Sequence, residues 1–181
     1  MLKTVTFRNI KSEMARAVLL SAVALGAMGA AQAATDVTTF KVKLTITESC
    51  LISATAPTDV DFGSQARTGA ALTLDAAGAL NVNCTSGTPY TIGLNGGANN
   101  TGTTATPAAG SRRMLSGTAN YVGYELYQNT GRTTFWGNAT GSWLGGTGTG
   151  ASVSLPVYGR VVSANAPAGA YIDTVTATIT Y

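Results

Sequence analysis

Residues 38 to 50 read "TTFKVKLTITESC". Phe40, Val42, Leu44 and Ile46 alternate with Lys41, Lys43, Thr45 and Thr47, so an extended chain here has one apolar and one polar face. That period of two marks a half-buried β-strand, and so clean an opening strand raises the question of what it pairs with. The far end repeats the pattern. In "AYIDTVTATITY" (170 to 181), Tyr171, Val175, Ala177, Ile179 and Tyr181 share one face, and Thr174, Thr176, Thr178 and Thr180 share the other.

The chain between these ends is rich in Gly, Thr, Ser and Asn and carries no long apolar stripe at helical spacing, which is an all-β composition. "LISATAPTDVDFG" (51 to 63) predicts a strand, a turn at Pro57 and a short strand ending at Gly63. "ALTLDAAGALNVNCTSG" (71 to 87) predicts two strand pieces separated around Ala76 to Gly78, and "PYTIGLNGG" (89 to 97) another strand. Asn95 to Ser111 has almost no apolar content and reads as a mobile surface loop. "YVGYELYQ" (121 to 128), "TTFWGN" (133 to 138) and "SVSLPVYGRVV" (152 to 162) supply further strands, with "GGTGTG" (145 to 150) as a flexible turn. Strands at this spacing, with no internal repeat or linker, predict an immunoglobulin-type sandwich or a small barrel.

Upstream of the opening strand, the apolar run "AVLLSAVALGAMGA" (17 to 30) follows Lys3, Arg8, Lys11 and Arg16 and precedes Ala31-Gln32-Ala33. This order predicts a secretory signal peptide cleaved after Ala33, and the run is shorter than the roughly 20 apolar residues a membrane span takes. The segment from Met14 is a complete signal by itself, so either Met1 or Met14 serves as the start. Cleavage removes four of eleven basic residues and one of eight acidic residues, leaving seven of each. A neutral mature chain lacks the positive field that nucleic-acid or anionic-membrane binding needs. Its 148 residues suit one domain, and Cys50 and Cys84, delivered to an oxidising compartment, are expected to form a disulfide.

The chemistry of an active site is sparse. There is no histidine, which removes imidazole catalysis and histidine metal ligation, and Lys41 and Lys43 are the only lysines after residue 33. Asp59 and Asp61 would share a strand face, an arrangement that suits solvated edge residues better than an acid/base pair or a cation site. "GGTGTG" neither follows a strand nor opens a helix, as a phosphate cradle requires. Arg112 and Arg113 read as a solvated pair at the end of a polar loop, Trp136 and Trp143 as buried or interface packing, and Asn99 and Asn138 begin N-x-[ST] matches. No metal, cofactor or enzymatic activity is expected.

A run of short motifs in order carries a resemblance: "VDFG" (60 to 63), "NVNCTSG" (81 to 87), "RRM" (112 to 114), "GYELY" (123 to 127), "PVYGR" (156 to 160) and "AGAYIDTVTATITY" (168 to 181). With the signal segment, the alternating strand and the cysteine, these resemble the spore coat protein U domain family. That family includes the pilins of archaic chaperone/usher systems, the Csu-type pili. The resemblance implies an immunoglobulin-like sandwich lacking its final strand, with residues 34 to 49 a donor-strand extension and 50 to 181 the pilin domain. It implies a periplasmic chaperone that fills the gap first, and an outer-membrane usher where a neighbouring subunit's extension replaces it. By position, Phe40, Val42, Leu44 and Ile46 match the donor residues, and Leu51, Val175, Ala177, Ile179 and Tyr181 are the acceptor-groove candidates. The partners implied are identical or related pilin subunits, chaperone and usher, and the implied location is the periplasm during assembly and then a surface pilus serving attachment and biofilm formation.

Other classes fit less well. A tip adhesin of this type generally carries an extra domain that 148 residues do not accommodate, a minor subunit would present apolar residues of its Gly-rich loops to a surface, and a spore coat component is the role the family name suggests. An outer-membrane barrel would need paired aromatic girdles that the sequence lacks. An opening strand that folds back as the first strand of its own domain is the plain alternative to donation.

Overall fold

The computed structural model describes residues 33–52 and 58–181; the apolar run at 17 to 30 and the turn expected at Pro57 lie outside the described residues. The chain divides after Lys43, and all eight strands found among the described residues belong to the unit Leu44–Tyr181. In chain order they are β1 (Cys50–Ile52), β2 (Leu74–Cys84), β3 (Pro89–Leu94), β4 (Arg113–Ser116), β5 (Asn120–Tyr127), β6 (Leu144–Thr147), β7 (Ser152–Val161) and β8 (Ala177–Thr180). One sheet runs β1-β2-β7-β5-β4 and the other β6-β3-β8, with every pairing antiparallel. No helix occurs among the described residues, and the domain is an all-β, immunoglobulin-like sandwich.

β2 and β7 are the spine, paired from Leu74↔Val161 to Asn83↔Ser152. Alternation decides their facing: Leu80 and Val82 of β2 turn inward opposite Leu155 and Val153 of β7, while Asp75 and Asn83 face solvent. Val82, Ile92, Leu94, Tyr124, Leu126, Trp136, Val157 and Val161 make the buried core. Pro156, which has no N–H to give, lies outside the β5–β7 ladder, which spans only Tyr158 to Val161 of β7. Cys50 and Cys84 stand directly opposite in the β1–β2 register and form the expected disulfide.

Several expectations are corrected. Residues 74 to 84 form one strand, not two, because Gly78 is a close-approach position: a Cβ there would collide with the Thr58 carbonyl oxygen. The short strand expected before Gly63 is reduced to a single bridge, Thr58↔Ala79, and "TTFWGN" to another, Tyr127↔Phe135. Half of "GGTGTG" is strand β6, paired with β3. The polar segment 95 to 111 is tied down: Gly96 N–H donates to Thr104 O (2.8 Å), Ala98 N–H to Thr174 O (3.1 Å) and Thr101 N–H to Ser111 O (3.0 Å).

The largest departure is Arg112, which is 1% exposed and not a solvated residue. Its guanidinium pairs with Glu125 Oε1 at 2.6 Å and donates to the carbonyls of Leu94, Asn95 and Trp136 at 2.8 to 3.0 Å. Five fixed donors can serve one carboxylate and three carbonyls at once, so the charge is buried but fully used. Arg113 follows the expectation more closely, half-buried with its guanidinium over the Tyr121 ring. Trp136 is fully buried, its indole N–H donating to Ile92 O, whereas Trp143 is 39% exposed.

Candidate functional site

The three-stranded sheet ends at β8, which among the described residues has a partner strand on one side only. In the approach to β8, Thr174 and Thr176 turn their carbonyls toward the N–H groups of Ala98 and Asn95, at 3.1 and 3.0 Å. Backbone groups of successive residues point to opposite sides of a strand, so those of Val175, Ala177 and Ile179 face the other way, along an unoccupied edge.

Beside that edge lies a groove of about 560 Å³. Residues 58 to 62 form one lip and 171 to 177 the other, over a floor that includes Leu80, Leu94, Met114, Leu126 and Val157. A second cavity of about 660 Å³ shares Val60, Asp61, Phe62, Met114 and Tyr171 with the first and extends toward Leu74 and Val161. Val60 and Phe62 turn inward and are half-buried, while Asp59 and Asp61 turn outward and are exposed. The single bridge at Thr58 is the last backbone hydrogen bond of this lip to a described residue before Gly63, whose N–H is taken by Asp61 Oδ1 at 2.8 Å.

One polar device is built into the wall. Tyr124 donates its hydroxyl to Asp173 Oδ2 at 2.7 Å, and Asn99 donates to Asp173 Oδ1 through both its backbone and side-chain nitrogens. Burial, reinforced by the Asp173 hydrogen bond, raises the Tyr124 pKa well above that of a free phenol, so the hydroxyl stays a donor. The contact ties the lip at 173 to the core strand β5 and to the 95 to 111 loop.

Among the groove candidates named from sequence, Val175 and Ala177 line the first cavity. Ile179 packs half-buried against the core opposite Ile92, while Leu51 and Tyr181 are each 59% exposed. Residues of the floor such as Met114 and Val157, and the lip residues Val60 and Phe62, were not among those candidates. The alternation in "DVDFG" marks the lip pair, whereas the floor is drawn from five different strands and has no local signal. Phe40, Val42, Leu44 and Ile46 belong to no strand and are 83 to 87% exposed. The segment is fixed to the domain at Ser49, whose carbonyl accepts from Thr85 N–H at 2.9 Å, and at the adjacent disulfide.

No group of three or more His, Cys, Asp or Glu side chains gathers among the described residues. The groove offers apolar surface and an open backbone edge, which suits a peptide strand rather than a reacting small molecule.

The Spore Coat Protein U domain profile matches residues 36–178. Protein U of Myxococcus xanthus is 33% identical over 178 residues, covering 91% of this chain and 96% of that protein. A chain in the crystal structure of the CsuC–CsuE chaperone–tip adhesion subunit pre-assembly complex, from archaic chaperone-usher Csu pili of Acinetobacter baumannii, shares the fold with a TM-score of 0.52 at 24% identity. That match takes in 76% of this chain and 40% of the other, so this chain spans less than half the length of that neighbour. By the match over nearly all of the sequence beyond residue 35 and by its kinship with Protein U, the chain belongs to the Spore Coat Protein U domain family.

Proposed function

We propose that this protein is a structural subunit of a chaperone–usher pilus, joined to its neighbours by donor-strand exchange. The observation that carries the reading is a pair of complementary deficits in one chain. Among the described residues β8 has an open edge beside an apolar groove, and an alternating apolar segment next to Cys50 has no strand partner. A strand donated from another copy would complete the ladder and set alternate side chains into the groove; donor-strand complementation in pilins is a known instance of such β-augmentation.

Phe40, Val42, Leu44 and Ile46 are almost wholly exposed, so most of their apolar area is left to bury. At roughly 1.5 to 3 kcal/mol each, four such side chains contribute about 6 to 12 kcal/mol before the cost of ordering the segment. Donor and acceptor are different surfaces of one chain, so the contact is head-to-tail and propagates a fibre instead of closing a dimer. Before assembly a periplasmic chaperone lends its own strand to the same edge, and an outer-membrane usher presides over the exchange. The polymer is then displayed at the cell surface, where it supports attachment and biofilm formation.

The test compares the mature protein with a deletion of Thr38 to Ile46 by light scattering and negative-stain microscopy. Rods or tight chaperone complexes that the deletion cannot extend are the expected result. Stable, folded monomers from both chains, without a chaperone, would refute the reading.

A further inference from the structure

The charges of the exposed segment and those of the groove lip are matched in sign and spacing. In residues 50 to 181 there are five carboxylates: Asp59, Asp61, Asp75, Glu125 and Asp173. Asp75 is bonded to Arg160 and Arg132, Glu125 to Arg112, and Asp173 is held by Tyr124 and Asn99. Among the described residues the salt bridges involve neither Asp59 nor Asp61, and neither Lys41 nor Lys43. The two aspartates stand two residues apart on the outward face of "DVDF", with Val60 and Phe62 turned in. The two lysines stand two residues apart on the polar face of "FKVKL", opposite Phe40, Val42 and Leu44.

A strand laid in the groove with Val42 and Leu44 inward must turn Lys41 and Lys43 outward, because successive side chains alternate at about 3.3 Å per residue. On one side its neighbours are then Asp59 and Asp61, and on the other the uncharged Thr174 and Thr176. We infer that Lys41 and Lys43 of one copy pair with Asp59 and Asp61 of the next, so that charge as well as apolar fit fixes the register and choice of partner at the joint. This inference rests on the donor-strand reading above. A shift by one residue would turn both lysines into the apolar floor, and a shift by two would leave one lysine and one aspartate without a partner. The pairing also concentrates the only lysines after residue 33 in the segment that must find this groove. Opposite charges on the two surfaces speed encounter and disfavour donors lacking the matching cations.

The test uses mature full-length chains with the disulfide intact: wild type, Lys41→Glu/Lys43→Glu, Asp59→Lys/Asp61→Lys, and the deletion of 38 to 46. Polymer growth is followed by light scattering at low salt and at about 0.5 M salt, where screening shortens to a few Å. Each reversal alone is expected to slow growth about tenfold at low salt, with the gap closing at high salt. An equimolar mixture of the two reversed chains is expected to regain the wild-type rate, since each donor then meets an acceptor of opposite sign. Reversed chains that grow at the wild-type rate while the deletion stays inert would overturn the pairing and leave donation intact. A deletion that polymerises as well as wild type would overturn donation and the pairing with it. The lysine reversal lies outside every strand, so it carries the test even where the aspartate reversal melts early.

Discussion

Replacing Arg112 by Met removes the charge but keeps most of the side-chain length, and the structure sets the cost. Glu125 would remain 8% exposed without its partner, and the Arg112 hydrogen bonds to the carbonyls of Leu94, Asn95 and Trp136 would be lost. Breaking a buried ion pair from one side costs about 3 to 5 kcal/mol, and carbonyls left short of a donor add about 1 kcal/mol more after partial relaxation. The expected loss is therefore about 4 to 6 kcal/mol, a large part of the 5 to 15 kcal/mol typical of a folded domain. In urea, with a slope near 2 kcal/mol/M, the midpoint should fall by about 2 to 3 M with the slope unchanged. The double variant Arg112→Met/Glu125→Leu separates the charge from the carbonyls. It should recover about half of the loss, because no ionised group is then stranded. An Arg112→Met midpoint within about 0.5 M of wild type, or a double variant whose loss equals the sum of the single losses, would refute the claim that the guanidinium organises this corner of the core.

Two further outcomes follow from local geometry. The Arg160 guanidinium hydrogen-bonds both oxygens of Asp75, at 2.7 and 2.9 Å, and holds the carboxyl below its ordinary value of 3.8. Stability from a depressed carboxyl is present above that ordinary value and lost as pH falls through the lower one, so Asp75→Asn should lower Tm slightly at neutral pH. The difference from wild type should close in acid, and a difference that persists unchanged at low pH would count against the pair. Gly78→Ala should cost about 1 to 3 kcal/mol in thermal unfolding, because its Cβ meets the backbone of Thr58 and Asp59; an unchanged Tm would mean that this lip is not held against β2.

Much of this architecture can be read from alternation alone. β3, β5 and β7 fall where apolar and polar residues take turns, and the half-buried and exposed residues from 171 to 180 keep the period of two that the sequence shows. What alternation does not carry is contact between distant residues. Gly78 looks like a break in a strand until the Thr58 backbone is seen crossing above it. Arg112 and Arg113 are indistinguishable as neighbours in sequence, and their fates diverge because Glu125 and three carbonyls from other segments converge on one of them. The 95 to 111 segment is polar enough to be a free loop, yet it is pinned by Asp173 and Thr174 from the far end of the chain. The groove is legible only in part for the same reason: its lips are local patterns and its floor is assembled from β2, β3, β4, β5 and β7.

Edge protection supplies the last argument about β8. A sheet edge invites pairing, and natural edges are kept short or guarded with charge, proline or bulges. Among the described residues β1 covers three, β4 begins at Arg113, and β6 is four residues long with glycines at its centre. β8 is itself as short as β6, but the run from Thr174 to Tyr181 lacks the other guards: it is eight residues without a charge, a proline or a glycine, and with strongly β-prone side chains. Left bare, such an edge is an aggregation hazard, and one lysine in place of Thr176 or Thr178 would blunt it without disturbing the buried face, where Val175, Ala177 and Ile179 pack. An edge unguarded where guarding is so simple fits a strand meant to be covered by another chain, and the alternating residues before Cys50 have the length and pattern to cover it.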